Sequence, residues 1–63
     1  MCESAVYLVK GSEKNLVMAE AAKVLINGSS VTCIDMLGER KVVDGAELVE
    51  ANLVKHEIIL RKK

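Results

Sequence analysis

The sequence predicts a small all-β barrel of about five to six strands. Two observations predict it. Short runs of β-favouring residues recur at close spacing, and glycines at positions 11, 28, 38 and 45 fall between them. A flat sheet this small would expose two long edges, and closure into a barrel removes them. The core must be aliphatic. Hydrophobic residues make up 51% of the chain, but Tyr7 is its one aromatic residue and proline is absent.

Residues 2–9 begin the pattern as a strand, with Val6, Tyr7, Leu8 and Val9 consecutive. Residues 10–15 are polar and contain Gly11, which suits a hairpin loop. Leu16, Val17 and Met18 open a second strand. Residues 19–23 are good helix formers. As a helix they would make only about two turns, too short to stand without tertiary support. An extended, bulged strand running on into Val24, Leu25 and Ile26 is the preferred reading. Asn27-Gly28 is the sharpest turn signal, since both residue types accept positive φ.

Residues 31–37 form a clear strand. Val31, Cys33, Asp35 and Leu37 share one face, and Thr32, Ile34 and Met36 share the other. Gly38-Glu39 turns the chain into a fourth strand over residues 40–43. Asp44-Gly45 reads as a turn or a bulge. Residues 46–54 read as a continuing strand, then one turn of 3₁₀ helix around residues 50–53. Residues 55–60 make the last strand, followed by Arg61-Lys62-Lys63.

A chain of 63 residues is one domain, residues 1–63, with a marginal core unless a metal, a disulfide or a partner supports it. Its aliphatic content exceeds what so small a core requires, which points to a homodimer. Nine basic and nine acidic residues balance to zero net charge, which argues against a nucleic-acid binder. No apolar run approaches the ~18 residues that would span a bilayer, and no secretion signal opens the chain. A cytoplasmic protein with reduced cysteines is expected.

Cys2 is the main chemical candidate. With Met1 retained, the Met1 amine, the Cys2 amide nitrogen and the Cys2 thiolate can form fused chelates. With Met1 removed, the Cys2 amine and thiolate close a five-membered ring. Mixed nitrogen and sulfur donors in a square plane suit Ni(II) or Cu(II) better than Zn(II). One chain offers few donors, so a good site needs two chains meeting at a two-fold axis. On spacing alone, the plainer reading of Cys2 as a small apolar residue at a strand start stands ahead.

Cys33 reads as a buried structural thiol. His56, the single histidine, reads as a structural residue at a strand start. Asp35 reads as a rim or turn-bonding residue. No nucleophile–base pair and no phosphate-binding glycine loop is present, so the chain is not expected to be an enzyme. The basic end, Lys55 with residues 61–63, protects an edge strand as well as it would contact RNA, and one aromatic gives no stacking platform.

Three blocks carry a family resemblance. They are Met1-Cys2-Glu3-Ser4-Ala5-Val6-Tyr7-Leu8, Ile34-Asp35-Met36-Leu37-Gly38-Glu39 and Leu53-Val54-Lys55-His56-Glu57-Ile58-Ile59-Leu60. In this order and over this length the chain resembles the CooT family of small nickel-binding proteins, whose members are often labelled predicted RNA-binding proteins. The resemblance implies a homodimer of SH3-like β-barrels that binds Ni(II) through Cys2 and the backbone nitrogens beside it, Met1 included. It implies nickel delivery to carbon monoxide dehydrogenase or another nickel enzyme. The competing expectation is a small RNA-binding barrel, and a third is an interaction module whose cysteines are incidental.

Overall fold

The computed structural model describes residues 3–63. Six strands fill most of it: β1 (Ser4–Lys10), β2 (Glu13–Asn27), β3 (Ser30–Asp35), β4 (Arg40–Asp44), β5 (Ala46–Asn52) and β6 (Glu57–Lys62). They form one sheet in the order β4-β3-β2-β1-β6-β5. All neighbours are antiparallel except β1 and β6, which run parallel.

Both long hairpins turn on Gly-Ser. Lys10 pairs with Glu13 around Gly11-Ser12, and Asn27 pairs with Ser30 around Gly28-Ser29. In each, the glycine takes positive φ (64° and 63°) at the first central position. That is the position a II′ turn reserves for glycine. The expected loop over residues 10–15 is therefore much tighter, and the second turn sits one residue later than Asn27-Gly28.

The ambiguous segment 19–23 is strand, as preferred. Its ambiguity has a structural cause. β2 carries extra residues against both neighbours: register shifts occur between Ser4 and Val6, between Val6 and Tyr7, and between Ala21 and Lys23. Each bulge adds a residue and advances the face-to-face alternation by one. Met18, Ala21 and Val24 consequently all face the core, three residues apart. Inward residues at that spacing imitate a helix.

The sheet is not closed into a barrel. It curls, but β4 and β5 remain its two edges. They are joined by Gly45 alone, at φ 66°. A hairpin needs two loop residues, so one residue can make a corner but not a ladder. The corner is tied to its surroundings: Ala46 N–H donates to the Ser29 carbonyl (3.0 Å), Lys63 N–H donates to the Gly45 carbonyl (2.8 Å), and the Lys62 ammonium donates to the Asp44 carbonyl (2.7 Å).

The core is small and aliphatic: Val6, Met18, Ala21, Val31, Cys33, Ala46 and Leu60, with Leu8, Val17, Val24, Val43 and Ile58 against it. Five of the six strands contribute a buried residue. Tyr7 is half-buried, and the Lys14 ammonium lies 4.6 Å from its ring centroid. Among the described residues no helix forms, so the expected 3₁₀ turn around residues 50–53 is absent. β5 instead runs on to Asn52 through a bulge between Leu48 and Glu50, and a turn occupies residues 53–56. On the exposed face Arg61 holds Glu47 (Nη2 to Oε2 2.6 Å). The Arg61 hydrogen bond and charge lower the Glu47 pKa, yet an ion pair this exposed adds little stability.

Asp35 shows how a strand is stopped. β3 ends there, two residues earlier than periodicity suggests. Its carboxylate accepts the amides of Leu37 and Glu39, both at 2.9 Å. Its main chain donates to the Glu39 carbonyl (3.0 Å) and accepts from Gly38 (3.1 Å). The turn-bonding role expected of Asp35 is the one it has. Asp35→Ala should cost about 1–2 kcal/mol through two orphaned amides, read as a lowered urea midpoint. An unchanged midpoint would show that water replaces the carboxylate at no cost.

Candidate metal centre

The principal candidates, Cys2 and Met1, lie outside the described residues. What the structure supplies is the start of β1. Ser4, the first residue of β1, pairs with Ala21 of β2. On its other side, Ala5 pairs with Glu57, and Ala5 N–H donates to the His56 carbonyl (2.9 Å). Beyond Ser4 the two neighbours diverge. β2 continues through residues 22–27, paired on its far side with β3. The β6 side ends in the turn at residues 53–56. The start of β1 thus opens into a notch between a long strand and a turn.

Exposed aliphatic side chains occur on both of these elements. Leu25 and Ile26 lie on β2, while Leu53 and Val54 occupy the turn, where Val54 is 90% exposed. Apolar residues in so exposed a turn are what a covered surface requires. The aliphatic excess of the composition was the only signal of them in the sequence. It did not say where they would lie.

His56 sits in the same turn with φ 57°, unusual for a residue bearing a Cβ. Its carbonyl ties the turn to β1, and its side chain is exposed. The structural role expected for it is carried by its main chain. Cys33 is on the far side of the core from solvent, at 0% exposure, and burial pushes its thiol pKa up. A neutral, enclosed thiol is a poor metal ligand, so Cys33 is structural as expected.

Among the described residues, no three His, Cys, Asp or Glu side chains cluster as a metal site would require. Nor is any helix long and apolar enough to cross a membrane. A shallow groove does lie between β2 and the loop after β3, lined by Met18, Ala19, Glu20, Asp35, Met36 and Leu37. Of the two carboxylates lining it, Glu20 and Asp35, Asp35 is already engaged by two amides.

Comparison with known proteins completes the picture. No curated protein matches the chain. A crystal structure assigned as a CooT from Carboxydothermus hydrogenoformans superposes with a TM-score of 0.85 and 26% sequence identity, covering 98% of each chain. The family described as CO dehydrogenase accessory protein CooT matches residues 1–61, which take in β1 to β5, all but the last residue of β6, and Cys2. This chain therefore belongs to the CooT family of CO dehydrogenase accessory proteins.

Proposed function

We propose that the chain carries nickel for the maturation of carbon monoxide dehydrogenase or another nickel enzyme. Ni(II) is the cargo, held by the Cys2 thiolate with the backbone nitrogens of residues 1 and 2, between two copies of the chain. The observation that carries this reading is the family match over residues 1–61. Exposed Leu25 and Ile26 on β2 and Leu53 and Val54 in the turn support it, as apolar surface that a second copy could cover.

The role is carriage, not catalysis. A carrier must let an acceptor displace its ligands, and a site at a chain terminus is open to such exchange. A reducing cytoplasm would keep Cys2 as a free thiol, ready for metal. Thiolate and deprotonated amide donors favour Ni(II) in a planar arrangement.

Titration of the metal-free protein with Ni(II) tests this reading. Thiolate-to-nickel charge-transfer absorption should appear and saturate at one nickel per two chains. Cys2→Ser should lose that absorption and weaken binding by at least tenfold, about 1.4 kcal/mol. Equal affinity in the two proteins would overturn the reading. Salt-sensitive binding of RNA that survives the substitution would favour the RNA-binding alternative instead.

A further inference from the structure

We propose that the free edge of β4 is a second self-association surface, pairing with β4 of another copy about a two-fold axis at Val42. The backbone geometry sets this up. Asn27 and Ser30 close a two-residue hairpin, so they face each other as a hydrogen-bonded pair. Alternation along β3 then turns Val31, Cys33 and Asp35 toward β4, and the Asp35 N–H bond to the Glu39 carbonyl agrees. Val43 and Lys41, their partners, face β3. The amides and carbonyls of Arg40, Val42 and Asp44 point outward. The Lys62 ammonium on the Asp44 carbonyl marks that outward direction.

The side chains follow the same alternation. Val43 packs on the core, so Arg40, Val42 and Asp44 share the opposite face, and all three are exposed. Read along the strand, that face is cation, apolar residue, anion. An antiparallel copy centred on Val42 places Arg40 opposite Asp44, Val42 opposite Val42, and Asp44 opposite Arg40. Opposite charges meet at both ends, and two half-exposed valines meet in the middle. The outward backbone groups pair in the same register. The Asp44 carbonyl has a second lone pair for this, beside the one Lys62 uses.

The other edge is different. β5 is interrupted by its bulge between Leu48 and Glu50, a common device against edge pairing. β4 pairs with β3 in unbroken register, and its outer row is complementary to itself. Lys41, on the concave face, meets Val43 of the second copy and is the one charge without an opposite partner. A contact of five residues a side is small, so association is weak and depends on concentration. It is separate from the proposed nickel contact. β4 lies three strands from β1 in the sheet.

The test uses full-length protein in the Cys2→Ser background without nickel, so its result is independent of metal binding. Val42→Cys places thiols on the axis at a Cα separation of about 5.5 Å, within disulfide reach. Mild oxidation should yield a crosslinked dimer from Val42→Cys and little from Lys41→Cys. In sedimentation equilibrium, Arg40→Asp should weaken association about tenfold by setting like charges opposite each other. Adding Asp44→Arg should restore it. Circular dichroism verifies that each variant is folded. A monomer at every concentration, or association indifferent to Arg40→Asp, would overturn the proposal.

Discussion

Leu60→Ala should leave this protein largely unfolded at room temperature. Leu60 is fully buried and is the largest such side chain in the core. It sits on β6, where it pairs with Leu8 of β1 on one side and Leu48 of β5 on the other. Truncating a buried leucine costs about 2–5 kcal/mol, from lost transfer energy and the cavity left behind. A single core of this size supplies only about 3–5 kcal/mol in total. The substitution therefore consumes most or all of the available stability. Urea denaturation followed by far-ultraviolet circular dichroism measures it. Leu60→Met, which conserves volume, should cost less than about 1.5 kcal/mol. A loss below about 1 kcal/mol in the alanine variant would mean that neighbouring side chains collapse into the space.

Cys33→Ser should separate the two cysteines in kind. The substitution puts a hydroxyl where the structure has a fully buried thiol on β3, among Val31, Met18 and Leu60 of the core. Burying it without a designed partner should cost about 1–3 kcal/mol. Cys33→Ala avoids the polar cost and should be milder. Both variants should bind nickel as the unchanged protein does, in contrast with Cys2→Ser. Thiol labelling gives the same division directly. Cys33 should resist an aqueous thiol reagent in the folded protein, both because burial hides it and because its raised pKa suppresses the thiolate, and should react once urea exposes it. Rapid labelling of Cys33 in the folded state would show that the core opens far more readily than its packing suggests.

The parts of the fold legible in the sequence are those where local and tertiary signals agree. β3 alternates cleanly, and its buried residues Val31 and Cys33 lie on the face that alternation assigns. β4 and β6 carry uninterrupted β-branched or aliphatic runs. β2 was hard to read because bulges set its inward residues three apart, a tertiary effect that no single-strand pattern contains. Gly28-Ser29 displaced the expected Asn27-Gly28 turn because one glycine at the first central position suffices for a II′ turn. Barrel closure failed on a count of one: Gly45 alone separates the edge strands. As for the site, the position of Cys2 was plain from the sequence. The exposed aliphatic residues of β2 and of the 53–56 turn were not, because these elements are remote in sequence and flank β1 on opposite sides.

The parallel seam between β1 and β6 has a consequence for how the molecule comes into being. β1 and β6 are the first and last strands, and they pair through Val6 with Ile58 and Leu8 with Leu60. Contacts between segments so distant in sequence slow folding, because the loop must close before they contribute. During synthesis β1 can find β2 early, as a hairpin. It cannot find β6 until β6 itself has left the ribosome. The turn that flanks the N-terminal end is fixed by that late pairing, through the Ala5 to His56 bond. β1 is thus made early but acquires its second neighbour late, so the turn at residues 53–56 takes its place only once the last strand has paired.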